Sequence, residues 1–329
     1  MTWSEFASFL TTIEKRRGSA SAPPLTVVIG SGIHRTVRAD DGREYEAQRR
    51  LSSWVGLLDS LDDQPDRRPP GPALRWELLA LSYPDAPELS AGERDRCLRE
   101  EVRSAVTQAE KELWQPERKE LAPLQVVLKS PCVSDVISLN VDLTVERLVM
   151  GNPSGISGVT GGGDLLRRHR TLERGADAGP LRVWHPHGDR TNAESLSFGM
   201  WHYRNLLGPL DQARQNIKEA ERTSKDKGVV AERVAHSPDN WLELLVFRPL
   251  LFVGTGLEAA EWDLWIGLLT RWRNFARNEH SHREHPVWIL TVPGEHQHLP
   301  AERFRRLEGP NWSATWTFLK NSFEPRPGP

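Results

Sequence analysis

A chain of 329 residues with a net charge of −2 is long enough for one large domain with insertions, or two modest ones. It carries no sequence-independent pull toward nucleic acid. Its two cysteines, Cys97 and Cys132, stand far apart in no metal-type spacing, which suits a reducing cytosol and excludes a four-cysteine zinc ribbon.

No apolar run approaches the roughly 20 residues of a membrane span, and the first residues lack a signal-peptide pattern. A cytoplasmic protein that meets neither membrane nor nucleic acid directly is therefore expected. The thirteen tryptophans are expected in core and interface packing.

In chain order, Trp3, Phe6, Phe9, Leu10 and Ile13 form an i, i+3, i+4, i+7 stripe that predicts a helix over 2–15. After Pro23-Pro24, Leu25-Thr26-Val27-Val28-Ile29 reads as a buried strand feeding Gly30-Ser31-Gly32-Ile33-His34. A strand that stops at Gly-x-Gly lets the backbone approach a phosphate, although a tight turn uses glycine for steric reasons alone. Residues 36–50 are polar, with a turn signal at Asp40-Asp41-Gly42. Leu51 to Leu58 gives an apolar helical face, and Asp62 to Pro72 reads as a surface loop.

Leu74–Leu81 and 91–114 read as helices, the second opened by a Ser90/Glu93 capping box. Cys97, Leu98, Val102, Val106, Ala109 and Leu113 trace its apolar stripe. These helices predict a helical insertion over 60–120. Leu124–Leu128 is either a short strand or a helix end. A central strand over 135–139 then ends in Asn140-Val141-Asp142, and a helix is expected over 142–150.

Gly151 to Gly163 reads as a flexible loop. Leu181–His185 is the next expected strand, ending in Pro186-His187-Gly188-Asp189. Ser195 to Leu207 is expected to hold a short strand leading into a helix with Trp201 and Tyr203. A charged helical arm is expected over 205–240 and a short helix over Leu242–Val246. Pro249–Val253 reads as a strand ending in Gly254-Thr255-Gly256, followed by a helix with Trp262, Trp265, Leu268 and Leu269. A last strand over Val287–Thr291, then 299–307 and 312–323, completes the fold, with a frayed tail from Glu324.

Four strand ends share one character: Gly30-Ser31-Gly32, Asn140-Val141-Asp142, His187-Gly188 and Gly254-Thr255-Gly256. In order and spacing they resemble the sirtuin-like superfamily, most closely its bacterial antiphage-defence branch of NAD-consuming effectors. Ser53-Trp54-Val55-Gly56-Leu57-Leu58 is similar to that family's Ser-Trp-x-x-Leu-Leu helix. Leu139-Asn140-Val141-Asp142 is similar to its Gln-Asn-Ile-Asp motif, and Pro186-His187-Gly188 to its Leu-His-Gly. Ser31 stands where the family usually has Ala, and His34 where it usually has Ser. The Gly-Ile-Pro-Asp-Phe-Arg continuation and the zinc ribbon of protein deacylases are missing.

The resemblance, over roughly 20–320, implies one α/β domain with a Rossmann-like, mostly parallel sheet flanked by helices. It implies an NAD+ glycohydrolase that releases nicotinamide and ADP-ribose, with NAD+ as substrate and no metal. Asn140 and His187 would be catalytic. Gly30, Ser31, Gly32, Ile33, His34, Asp142, Gly188, Gly254, Thr255 and Gly256 would bind the dinucleotide, Asp142 at the nicotinamide carboxamide. Partners would be further copies of the chain or a companion defence protein, a sensor or an ATPase. A non-catalytic NAD or ADP-ribose-binding subunit and a sirtuin-type deacylase are the alternatives.

The residues alone leave other roles open. Asn140 suits fixing a ribose hydroxyl or water, or capping the following helix. His187 suits a general base, or an ordinary turn. Asp142 suits the positive end of a helix, and Thr255 a local hydrogen bond. The pairs His185/His187, His280/His282 and His296/His298 have no accompanying ligand set, so no metal site is expected.

Overall fold

The structure is a computed structural model that describes residues 3–16, 23–36, 46–61, 71–82, 88–114, 119–151, 158–175, 177–223, 234, 236–258, 261–277 and 285–324. The Asp40-Asp41-Gly42 turn, residues 62–70 of the expected loop, 152–157 of the glycine-rich segment, 224–233 of the arm, His280, His282 and the tail from 325 lie outside them.

The strands are β1 (Leu25–Ile29), β2 (Val133–Ser138), β3 (Val159–Thr160), β4 (His169–Leu172), β5 (Leu181–Trp184), β6 (Leu250–Val253), β7 (Val287–Thr291) and β8 (Arg305–Glu308). They form one sheet in the order β3-β4-β5-β2-β1-β6-β7-β8. From β5 to β8 all neighbours are parallel, while β4 runs antiparallel to β5 and β3 antiparallel to β4. Counted along the chain, the six parallel strands lie in the spatial order 3-2-1-4-5-6. This is the doubly wound arrangement, with its crossing point between β1 and β6.

Parallel strands covered on both faces read as continuous apolar runs, and β1, β6 and β7 are buried at every position. Alternation sends Val27, Val136, Leu251 and Trp288 to one layer, and Val28, Ile137, Phe252 and Ile289 to the other. The first layer opens with α1 (Trp3–Lys15), which contributes Phe6, Leu10 and Ile13.

Next in the chain come α2 (Glu46–Leu51), α3 (Trp54–Asp59), α4 (Pro72–Ser82) and α5 (Ala91–Leu113), which share a core of their own around Trp76, Leu98 and Val102. The apolar stretch over 51–58 is thus not one helix. It breaks at Ser53, whose hydroxyl caps α3 by accepting from the Gly56 amide at 2.9 Å. The expected capping box of α5 is present, with Ser90 and Glu93 bonded in both directions.

The open choice at Leu124–Leu128 falls to helix, α6 (Ala122–Lys129), with Pro123 in its first turn. The helix after β2 is α7 (Thr144–Met150), two residues later than expected. No strand lies at 195. A 3-10 turn, Ala193–Ser195, leads through extended chain into α8 (Met200–Thr223). After it come α9 (Trp241–Phe247), α10 (Trp262–Arg277) and α11 (Trp312–Phe323). Helices α8, α9 and α10 cover the second sheet face, while α6 and α11 join α1 on the first.

Three strands differ from the sequence expectation. β3 lies in the glycine-rich segment, β4 reads His-Arg-Thr-Leu, and β8 reads Arg-Arg-Leu-Glu. Each is at or near a sheet edge, where polar residues are tolerated and the apolar signal fades. Among the described residues no helix is long and apolar enough to cross a membrane.

Candidate functional site

Because β5, β2, β1 and β6 are adjacent and parallel, their carboxyl ends bring all four singled-out junctions to one edge of the sheet. At the crossing point the loops after β1 and β6 touch. The Gly30 amide donates to the Val253 carbonyl at 3.0 Å, and the Gly32 amide to the Gly254 carbonyl at 2.8 Å. A Cβ on Gly30 would lie 2.5 Å from the Gly254 oxygen, and one on Gly254 2.5 Å from the Ile33 nitrogen. Glycine is therefore required here by the loop-to-loop approach itself. It also means that two amides of the expected phosphate cradle are already committed to carbonyls. Beside them, the hydroxyl of buried Thr255 has no hydrogen-bond partner among the described residues, so a local bond does not explain it.

Behind β2, His34 Nε2 meets Asp142 Oδ2 at 3.0 Å, with both side chains buried. Asp142 Oδ1 accepts from the Thr144 amide at 2.8 Å. Burial alone would raise this carboxyl, but the His34 ring and the Thr144 bonds outweigh it and hold it well below the usual range. Asp142, not Asn140, thus serves the start of α7. Asn140 is 6% exposed, and its Nδ2 has no acceptor among the described residues.

Helix α5 reaches the same loops through Glu110. Its buried carboxylate accepts from the Leu143 amide and pairs with Arg190 at 2.6 Å and Arg147 at 3.3 Å. Burial raises its pKa, with Asp142 adding to the rise and the Arg190 bond opposing it.

His187 sits in the loop after β5. Its Nε2 lies 3.0 Å from Asp263 Oδ2, and its Nδ1 lies 3.3 Å from the Leu139 carbonyl. Both ring nitrogens face oxygens, so the ring's orientation is fixed from two sides. Burial opposes the charge, yet Asp263 wins and the pKa is raised. The contact with Asp263 orients the ring and strengthens it as a proton acceptor.

Trp54 and Tyr203 flank the ring edge-on, each with its centroid 5.7 Å away. Glu261, just before Asp263, is pushed up by burial to about 7. Gly188 has φ +77, and a Cβ there would lie 2.0 Å from the Ser195 carbonyl oxygen, so the turn itself requires glycine. One pleat away, His185 donates to Glu146 at 2.8 Å, and Asp189 binds Arg168 and Arg170 at 2.7 and 3.0 Å.

No family model matches the chain, and no curated protein matches it. Of the expected set, Gly30, Ser31, Gly32, Ile33 and His34 lie at the end of β1, and Asn140 and Asp142 at the end of β2. His187 and Gly188 follow β5, while Gly254, Thr255 and Gly256 follow β6. Asp263, Glu110, Glu261 and Tyr203 stand with them, although sequence patterns do not mark these four as site residues. Glu110 left a signal, an acid four residues after Val106 on the apolar face of α5. Asp263 left only its place in the first turn of a helix. His296 and His298 have ring centroids 6.2 Å apart, and no group of three or more His, Cys, Asp or Glu suited to a metal occurs among the described residues.

Proposed function

We propose that the carboxyl edge of β5, β2, β1 and β6 binds NAD and that the chain hydrolyses its nicotinamide–ribose bond. The observation that carries this reading is Asn140, a buried side-chain amide beside the crossing point whose Nδ2 has no acceptor among the described residues. Such a group costs free energy until something accepts from it, and a ribose hydroxyl or an attacking water would do so. The 3-2-1-4-5-6 order supports a dinucleotide at this edge. The identity of the cleaved bond comes from the motif resemblance, as does the setting of antiphage defence with a homo-oligomer or companion protein.

In this reaction the carbon–nitrogen bond breaks and its electron pair stays on nicotinamide, which leaves neutral. Water bonds to the ribose carbon and gives up a proton. Asn140 holds the ribose or the water. The water's proton goes to the buried His187–Asp263 pair. Within that pair the Asp263 Oδ1 is buried with no partner among the described residues. The proton passes from there to solvent.

A second reading, a binding subunit without catalysis, is favoured by one observation, the capture of His187 between Asp263 and the Leu139 carbonyl. Nicotinamide release and calorimetric NAD binding, measured together on the full chain and on Asn140→Ala, separate the two. Release that depends on Asn140 supports hydrolysis, and tight binding with NAD recovered unchanged supports the subunit. Absence of both binding and release removes the NAD assignment.

A further inference from the structure

The opposite, amino-terminal edge of the sheet holds a cavity of about 480 Å³. Pro24 before β1, Ser134 at the start of β2, Arg182 of β5 and Arg248 before β6 line it. We propose that this cavity binds a small organic phosphate. The proposal does not depend on the NAD reading, because the two sites lie at opposite ends of the strands.

The wall is cationic. Arg174, Arg182 and Arg248 line the cavity, and no Asp or Glu does so among the described residues. Behind it, Asp135 is wholly buried and shared by two guanidinium groups. Its carboxylate binds Arg182 Nε at 2.7 Å and also Arg248, itself 1% exposed. The same carboxylate accepts from the Trp184 indole at 2.9 Å and the Ser134 hydroxyl at 2.6 Å. Its oxygens are therefore filled from within the protein, and it fixes the two guanidinium groups.

Arg174 gives its N–H groups to the carbonyls of Leu128, Ser130, Ala178, Gly179 and Pro180. These bonds use all five of its N–H groups, so Arg174 brings charge to the wall and no donor. Arg182 keeps 26% of its side chain exposed, so a guanidinium anchored by Asp135 still reaches the cavity. Side chains fixed in advance lose little entropy when a ligand arrives.

A phosphate monoester supplies nearly two negative charges near neutral pH, and its oxygens suit the part-exposed guanidinium of Arg182. Ile13, Pro24 and Pro131 give the cavity apolar walls for an organic body, and the volume falls within the range of small-ligand pockets, roughly 300–1,000 Å³.

The sheet provides its own test. Thr171 on β4 also lines the cavity and stands opposite Arg182 in the antiparallel pair, where facing side chains interact. Thr171→Glu would place a carboxylate beside the guanidinium groups and compete with a ligand.

The experiment is thermal unfolding of the full chain with phenyl phosphate, with benzoate as the carboxylate arm and chloride at matched ionic strength. Phenyl phosphate is expected to raise the melting temperature by several degrees, well beyond chloride and benzoate. Thr171→Glu, with its circular dichroism unchanged, is expected to lose the response. Arg182→Gln, judged by the same spectrum, is expected to lose most of it. An equal shift from benzoate overturns the choice of phosphate. A phosphate response that survives both substitutions, or one no larger than that of chloride, overturns the site.

Discussion

His187 and Asp263 meet at 3.0 Å although they belong to opposite halves of the sheet. His187 follows β5 and Asp263 follows β6, so the pair passes over the ends of β2 and β1, which lie between those strands. Strands about 4.8 Å apart put β5 and β6 some 14 Å from each other. The contact thus joins the loops of both halves over the crossing point. Removing one partner of a buried pair leaves the other charge uncompensated, so Asp263→Asn is expected to cost about 3 kcal/mol.

The cost has a pH signature. Asp263 raises the pKa of His187 in the folded state above its ordinary 6.5. The stabilisation is fully present below the unfolded value and is lost as pH rises through the folded one. Urea unfolding of the parent and Asp263→Asn should therefore differ most near pH 6 and converge on the alkaline side. A difference that grows with pH would assign the effect of Asp263 to something other than His187.

Glu110 ties helix α5 to two site loops at once, through the Leu143 amide and Arg190. Glu110→Ala is expected to cost about 3–5 kcal/mol, because it strands Arg190 and a backbone donor together. A double-mutant cycle with Arg190→Ala should show coupling of about 1 kcal/mol or more. Additive losses would mean that the two residues act separately.

Gly30 and Gly162 resist a side chain for different reasons. Gly30 fails to accept a Cβ because the Gly254 oxygen would be 2.5 Å away, whereas Gly162 has open space but φ +56. Gly162→Ala meets only backbone strain and should cost about 1–2 kcal/mol. Gly30→Ala must move a backbone carbonyl of the neighbouring strand end, and should cost clearly more, with NAD binding lost alongside. Thermal unfolding of the two variants side by side makes the comparison. Equal, small losses would show that the loops can separate without harm.

Much of this architecture was legible in the residues because strands buried on both faces, such as Leu25–Ile29 and Val287–Thr291, leave unbroken apolar runs. Their ends were legible because glycine or short polar residues stop those runs abruptly. The pairings were not. His34 and Asp142 are 108 residues apart and His187 and Asp263 are 76 apart, and no local period records which charge a histidine will meet.

Strands at or near the sheet edge were lost for the complementary reason. β4 buries Arg170 against Asp189 and Glu146, so a buried position there carries a charge and reads as surface. The same inversion hid Glu110. A buried acid is stable only with partners, and those partners come from elements that a linear pattern does not connect.

Asn140 offers the sharpest separation of structure from function. Its Nδ2 makes no hydrogen bond among the described residues, so removing it deletes no bond there and relieves an unsatisfied donor. Asn140→Ala is thus expected to change unfolding free energy by less than about 1 kcal/mol. Asp142→Ala, which breaks the contacts to His34 and Thr144, should cost about 2–3 kcal/mol. On activity the order reverses in meaning. If Asn140 holds the reacting ribose or water, its loss should lower nicotinamide release by something on the order of 100-fold while the fold stays intact. Measuring unfolding and release on the same Asn140→Ala preparation decides the matter. A stable, fully active variant would leave the amide without a catalytic role, and a strongly destabilised one would mean that Asn140 supports the end of β2.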